Sequence, residues 1–202
     1  SDWSSDVCSS DLVSSAAGGV LDTTDLFTDR DLRQTADLSE ATYYTVKDGE
    51  DITITEAGVY VLSGTASNVT VYVNADSDAK VQIVLDGVTI TNDDFPVIYV
   101  KNADKVFVTT SADSSLSVTG SFTKDGTTNT DGVIFAKDDL VLNGTATLTI
   151  TSTDNGVVGK DTVKVTGGTY VITASSKAIE ANDEILIANG TFVLTAGTDG
   201  LH

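Results

Sequence analysis

Apolar and polar residues alternate with a period of two in short segments along most of the chain. Near its end the pattern Thr-apolar-x-apolar-Thr recurs at residues 147–151, 169–173 and 191–195, a period of 22 residues. Alternation of this kind predicts β-strands, and no helical periodicity of useful length follows residue 51. A short, fixed repeat of strands predicts a solenoid.

Each repeat contains further apolar points separated by corners rich in Gly, Asn and Asp, which suit tight turns. A second strand and a third apolar point recur at Leu140/Val163/Ile185 and at Val157/Ile179/Leu201. Coiling such units stacks equivalent residues about 4.8 Å apart, so we predict an all-β parallel β-helix of six to seven coils. Gly144 and Gly167 are 23 residues apart, which predicts a one-residue slip in one corner. Residues 121–130 are predicted to form a polar insertion.

The chain divides into three segments. Residues 1–12 (SDWSSDVCSSDL) match the translation of a sequencing-adapter primer found in metagenomic assemblies, so we interpret them as an artefact and not as native protein. The alternative is a genuine Ser/Asp-rich linker. Residues 13–50 are expected to form an N-terminal linker and cap segment, and residues 51–202 the parallel β-helix. That β-helix stops in mid-repeat, so we expect it to be truncated at its C-terminus.

The chain is strongly acidic, with 30 Asp and Glu against 11 Lys and Arg and a net charge of −19. This balance argues against nucleic acid and anionic membranes as partners, and no apolar stretch predicts membrane insertion. The one cysteine, Cys8, lies in the adapter segment, so no disulfide is predicted. An acidic chain rich in Thr, Asp and Gly fits an extracellular or bacterial cell-surface protein. The sequence does not specify an oligomeric state.

The chain after residue 25 resembles a family of bacterial carbohydrate-binding right-handed β-helix proteins, which includes clostridial cellulose- and pectin-binding members. The segments that carry the resemblance are residues 26–38, 57–65, 79–92, 96–106, 163–174 and 198–202. The resemblance implies a polysaccharide-lyase-like, right-handed β-helix, several calcium ions, and binding of acidic or cellulosic plant polysaccharide without known catalysis. Family members often have Asp-Gly-Ile where this chain has Lys177-Ala178-Ile179, which puts a calcium ligand in that coil in doubt.

Acidic and amide side chains fall at equivalent corners of successive repeats. Calcium takes six to eight oxygen ligands, and stacked carboxylates about 5 Å apart repel one another unless a cation lies between them. We therefore expect Ca²⁺ at some of these corners, the alternative being that the residues only shape solvated turns. The candidate ligands are the column Asp131, Asn155 and Asp199, the column Asp139, Asp161 and Asp183, and the nearby Glu180 and Asn182.

Few residues suit catalysis. A lyase needs a base, usually Arg or Lys, but Arg30 and Arg33 precede the coils, and Lys160 beside Asp161 is more typical of a solvated ion pair. No Ser/His/Asp set or Cys/His metal cluster can be assembled. Sugars often bind on exposed aromatic faces, for which the candidates are Tyr43, Tyr72, Tyr99, Phe122 and Phe135. Among these, Tyr72 and Tyr99 fit better as partly buried core residues.

These observations favour a non-catalytic, calcium-dependent carbohydrate-binding protein. Its expected partner is a plant cell-wall polysaccharide, either pectin-type polygalacturonate or cellulose. Because the protein is so acidic, binding of polygalacturonate should require a bridging cation. Two alternatives stay open: a calcium-stiffened surface stalk or adhesin, and a polysaccharide lyase.

Overall fold

The computed structural model describes the backbone of residues 6–9 and all of residues 25–202. These residues form one short helix, α1 (Asp29–Leu32), and the following strands in chain order. They are β1 (Asp6–Ser9), β2 (Thr42–Thr45), β3 (Ile52–Ile54), β4 (Gly58–Ser67), β5 (Val71–Asn74), β6 (Lys80–Asn92), β7 (Ile98–Asn102), β8 (Lys105–Ala112), β9 (Ser114–Val118), β10 (Gly132–Ala136), β11 (Asp139–Gly144), β12 (Thr147–Ser152), β13 (Asn155–Gly159), β14 (Thr162–Val165), β15 (Thr169–Ala174), β16 (Ile179–Ala181), β17 (Glu184–Ile187) and β18 (Thr191–Ala196).

The strands form three faces that wind around a common axis. The first face is the sheet β3-β5-β7-β10-β13-β16. The second face contains β2, β8, β11, β14, β17 and the first halves of β4 and β6. The third face contains β9, β12, β15, β18 and the second halves of β4 and β6. Apart from β1, which pairs antiparallel with β18, the strand ladders are parallel. The predicted parallel β-helix is therefore confirmed.

The coils differ in length where loops leave the faces. Positions stacked along the first face, from Ile52 to Leu201, are separated by 19, 27, 36, 23, 22 and 22 residues, which gives six coils. The longest coil contains the loop of residues 119–131, which includes the predicted polar insertion. The predicted slip is also confirmed, because β11 pairs with β14 at an offset of 23 residues and β12 with β15 at 22. Gly144 occupies that corner with φ of 131°, and a Cβ there would lie 2.3 Å from the Thr110 carbonyl oxygen.

Inward-facing residues stack into apolar columns. In the second face Ile83, Val108, Leu142 and Val165 occupy the same position in successive coils and are at most 1% exposed. Burial of each such side chain contributes about 1.5–3 kcal/mol relative to exposure. The coil is thus a rigid scaffold, and every second residue of each strand is presented on its outer side.

Residues 25–41, which we call the strap, cross the outer side of the second face. Thr28 and Asp31 of the strap form a reciprocal capping box around α1. The Asp31 carboxylate is fully buried and accepts a 2.9 Å hydrogen bond from Lys105 of β8, while Lys164 of β14 lies 3.4 Å away. One buried carboxylate therefore joins the strap to two strands that are separated by β11.

The segment predicted as linker and cap contains the first parallel strand, since β2 pairs with β4. Its residues 13–24 lie outside the described residues. Within the described part of the chain no helix is long and apolar enough to cross a membrane.

Candidate functional site

A row of aromatic rings from successive coils lies on the outer side of the first face. Because Ile98 and Val100 of β7 point into the core, Tyr99 between them points outward. Its partners in the two adjacent coils are Tyr72 and Phe135. The ring centroids are 5.8 Å apart for Tyr72 and Tyr99, and 5.6 Å apart for Tyr99 and Phe135. These separations are typical of attractive aromatic pairs, and we call the three rings the outer aromatic row.

The 119–131 loop packs beside this row. The Tyr99 hydroxyl donates a 2.8 Å hydrogen bond to Asp125 Oδ2 of the loop, and burial, together with this bond, raises the pKa of Tyr99. Tyr99 is buried as predicted, but in a separate cluster with Phe135 outside the coil and not in the main core. Alternation along β7 accounts for the difference, since the inward positions are already taken by aliphatic residues.

Most of the candidate sugar platforms are covered. Tyr99 and Phe135 are fully buried, and Tyr72 and Phe122 are partly buried. Tyr43 on β2 is 64% exposed and lies on the second face. Of these candidates on the first face, Tyr72 keeps an accessible part, and the partly buried Phe95 lies beside it with ring centroids 6.3 Å apart.

Three lysines lie along the edge where the first face turns into the second. Val100, Ala136 and Gly159 are paired in neighbouring strands. A lysine directly follows each of them: Lys101, Lys137 and Lys160. The Lys101 ammonium lies 5.4 Å from the Tyr99 ring centroid, and the Lys160 ammonium lies 5.6 Å from that of Phe135. These distances allow cation–π attraction, which holds the lysines against the outer aromatic row. We call Lys101, Lys137 and Lys160 the lysine row.

An aspartate column runs beside the lysine row, where the sequence-predicted Asp139, Asp161 and Asp183 lie. Burial raises the pKa of Asp161, and the charges of Asp139, Asp183 and Asp138 raise it further. The strand register aligns Asp138, and not Asp139, with Asp161 because of the one-residue slip. Asp139 Oδ1 instead accepts a 3.4 Å hydrogen bond from the Thr162 amide. The stacked residues are therefore Asp138, Asp161 and Asp183; the predicted place of Asp139 in the stack is wrong, although its charge still acts on Asp161.

A second group of acids lies at the opposite end of the first-face strands. The register places Asp131 beside Asp154, one residue before its predicted partner Asn155. The predicted pairing is wrong because the Asx-Gly pairs at residues 131–132 and 155–156 align one residue out of the strand register. In that register Ile134 pairs with Val157, and Asp131 therefore lies beside Asp154. Asp131 Oδ1 is buried and has no hydrogen-bond partner among the described residues. Burial raises the pKa of Asp131, and the negative charge of Glu180 adds to this effect.

The remaining candidate metal ligands are dispersed. Asn155 Oδ1 accepts a 3.0 Å hydrogen bond from the Lys177 amide, and Glu180 pairs with the Lys177 ammonium at 3.1 Å. The Asp199 carboxylate lies 3.2 Å from the imidazole of the last residue, and Asn182 is exposed at the end of the lysine row. Among residues 25–202 no three Asp, Glu, His or Cys side chains converge as a metal centre. Any cation at these corners would need additional oxygen ligands.

The three candidate bases for a lyase do not lie together. Arg30 and Arg33 are on the strap, against the second face, where the Arg30 guanidinium lies 4.6 Å over the Phe107 ring. Of the three, only Lys160 lies in the lysine row beside the aspartate column.

Comparison with known proteins gives consistent matches. A family model for "Carbohydrate-binding domain-containing protein" matches residues 48–202. A protein of the same name from Acetivibrio thermocellus (strain ATCC 27405) is 29% identical over 123 residues, which cover 58% of this chain and 43% of that protein. The match therefore spans less than half of that relative's length.

A solved structure is similar in fold. It is described as the polysaccharide lyase-like protein from C. thermocellum, gadolinium derivative, and it aligns with a TM-score of 0.57 at 20% identity. The alignment covers 79% of this chain and 92% of that chain.

Proposed function

Because the chain belongs to the carbohydrate-binding domain family, we propose that it is a non-catalytic, calcium-dependent binding protein for plant cell-wall polysaccharide. The proposed ligand is pectin-type polygalacturonate, with cellulose as the weaker candidate. The observation that carries this proposal is the lysine row, which runs beside the aspartate column along one edge of the first face.

The repeat of the row suits a linear polymer. Equivalent side chains in neighbouring coils of a parallel sheet lie about 4.8 Å apart, so Lys101, Lys137 and Lys160 lie at regular intervals along the helix axis. Lys101 is paired with Asp125 at 3.4 Å, so Lys137 and Lys160 are the main cations that a polymer would meet. A polysaccharide with a carboxylate on each sugar would meet successive ammonium groups. Cellulose carries no charge and would gain nothing from this row.

The net charge of the protein opposes such binding at long range. A chain with a net charge of −19 repels a polyanion, and three lysines offset only part of that field. This is the physical reason for adding a divalent cation to the proposal.

Calcium fits the chemistry of the aspartate column. It prefers carboxylate oxygens, and Asp161 lies among carboxylates whose mutual repulsion raises its pKa. Because no three acidic side chains converge among the described residues, neighbouring pairs among Asp138, Asp139, Asp161 and Asp183 would contribute ligands to such an ion, and carboxylates of the polysaccharide would supply the oxygens that the protein lacks. The ion would supply positive charge between two negatively charged partners.

The proposal implies a protein that works outside the cell or on the bacterial surface, where plant polysaccharide is met. Affinity electrophoresis tests it, with native gels that contain polygalacturonate or hydroxyethyl cellulose, each run with calcium and with chelator. Retardation in polygalacturonate with calcium only is the expected result. Retardation in neither gel would contradict the proposal and favour the stalk or adhesin.

A lyase is the second candidate, and one observation favours it. Lys160 of the lysine row directly precedes Asp161 of the aspartate column, so a cation and an acid are neighbours in the chain at this edge. Incubation with polygalacturonate and calcium would distinguish the two functions. An increase in ultraviolet absorbance from an unsaturated product would identify a lyase and contradict the proposed absence of catalysis.

A further inference from the structure

A pocket of about 370 Å³ lies between the strap and the outer side of the second face, away from the lysine row. Its charged lining consists of Arg30, Arg33, Asp37 and Glu40 from the strap, and Gly58 and Gln82 of the coil form part of the opposite wall. We infer that this strap pocket binds one uronic acid unit, with the sugar carboxylate held by Arg30 and Arg33.

The two arginines are held on a rigid support. The buried Asp31 lies in the same helix turn and is paired with Lys105 at 2.9 Å. The Arg33 carbonyl accepts a 3.1 Å hydrogen bond from the buried Asn143 amide. The Arg30 guanidinium lies over Phe107 at 4.6 Å. The backbone at both arginines and the side chain of Arg30 are therefore positioned before a ligand arrives, which lowers the entropic cost of binding, whereas the Arg33 side chain is exposed.

Within the described part of the chain neither guanidinium group forms a close ion pair, although the charge of Asp31 acts on Arg30 and the charge of Arg33 acts on Asp37. Among residues 25–202 neither Arg30 nor Arg33 has a carboxylate within ion-pair distance. Burial lowers the pKa of Arg30, and the like charge of Arg33 lowers it further. Two neighbouring cations that repel each other in so acidic a protein would be stabilised by a shared anion. Arginine also suits planar carboxylates, because its fork of N–H donors matches their two oxygens.

The rest of the lining suits a sugar and not a simple inorganic anion. Asp37 and Glu40 are at the strap side of the pocket, and carboxylates accept hydrogen bonds from hydroxyl groups. They would repel a compact dianion such as sulfate. Gly58 has φ of 154° and no side chain, and together with Ala57 it leaves space for a ring. A uronic acid carries both a carboxylate and the hydroxyl groups that this lining can bind.

The choice of a uronic acid rests on the proposed function, whereas the anion site itself rests on the geometry of the pocket. The sequence contains only two arginines, so their side-chain Nε–Hε resonances form a two-peak NMR spectrum that reports on the pocket alone. Galacturonic acid, galactose, acetate and sulfate are titrated in turn into the ¹⁵N-labelled protein. We expect both arginine peaks to shift in a saturable way with galacturonic acid and to stay in place with galactose.

Variants test the role of the charges. Arg33→Gln should weaken galacturonic acid binding by about tenfold or more, the effect of one charge-assisted hydrogen bond. Arg30→Lys keeps a charge near Phe107 and serves as a second variant should Arg33→Gln fail to fold. Lys47→Gln, which removes one charge at an exposed position, should leave the affinity unchanged. Equal shifts with galactose, equal affinity for acetate or sulfate, or no effect of Arg33→Gln would overturn the inference.

The polygalacturonate gel separates this inference from the proposed function. Gel retardation without any arginine shift would refute the strap pocket and leave the lysine row intact. Saturable arginine shifts without retardation would support the pocket and refute polysaccharide binding at the lysine row.

Discussion

Asp131, whose Oδ1 atom is buried, gives a prediction in which the effect of its substitution on thermal stability depends on calcium. Its Oδ1 atom is buried without a hydrogen-bond partner among the described residues, and Oδ2 accepts one long bond of 3.3 Å from Asn129. An unsatisfied buried polar group costs about 1–3 kcal/mol. Asn keeps a polar atom at this position but removes the buried charge, and Asp131 is only partly buried, so we expect Asp131→Asn to stabilise the calcium-free protein at pH 7 by about 1 kcal/mol. For a domain of this size that corresponds to an increase in Tm of about 2–4 °C.

The pH dependence follows from the direction of the pKa shift. Burial raises the pKa of Asp131 above its ordinary value of 3.8, so the folded state binds this proton more tightly than the unfolded state. The charged carboxylate therefore destabilises the fold above the raised pKa, and acidification through that pKa towards 3.8 relieves the cost. The stabilisation by Asp131→Asn should accordingly shrink as the pH falls.

The assay is thermal unfolding of both proteins between pH 4 and pH 7.5, with chelator and with calcium. Asp78→Asn is the matched control, because Asp78 is exposed and its substitution removes the same charge. If Asp131 binds calcium, the ion should stabilise the unsubstituted protein more than the variant. Destabilisation by Asp131→Asn in chelator at pH 7 would refute the reasoning, since it would show that attraction of the carboxylate to Lys160 and Lys177 outweighs the cost of its burial.

Three further substitutions test the packing around the coil. Asp31→Asn leaves the buried Lys105 without its partner and should cost about 3–5 kcal/mol in urea unfolding. Because Asp31 has a lowered pKa, its contribution should persist above pH 3.8 and disappear as the pH falls through the lowered value. Tyr99→Phe removes the bond to Asp125 and should cost about 1 kcal/mol, with faster amide exchange in the 119–131 loop; unchanged exchange would show that this bond does not hold the loop. Asp161→Ala should lower Tm only when calcium is present, and an equal loss with chelator would exclude it as a ligand.

The repeat pattern predicts the coil well because its physical basis is local. Alternation along each strand decides which residues point inward, and the 22-residue period decides which of them stack, so the parallel β-helix and the one-residue slip are both confirmed. The resemblance to carbohydrate-binding proteins is confirmed as well.

Features on the outer side of the coil could not be predicted in the same way. Alternation shows that Tyr99 and Phe135 can face outward, but it does not show that they cluster beside the 119–131 loop. The pairing of Asp31 with Lys105 joins residues 74 positions apart, one in the strap and one in the coil, so the repeat does not encode it. Asp154 could not be predicted because the Asx-Gly pairs at residues 131–132 and 155–156 align one residue out of the strand register.

The central claim is that polysaccharide binds along the lysine row. The most direct test compares the unsubstituted protein with the Lys137→Gln/Lys160→Gln double variant in polygalacturonate gels that contain calcium, with Lys47→Gln as the control for lost charge. We predict that the double variant migrates almost as it does in a gel without polysaccharide, while the control is retarded like the unsubstituted protein. Full retardation of the double variant would show that the polymer binds elsewhere and would contradict the account.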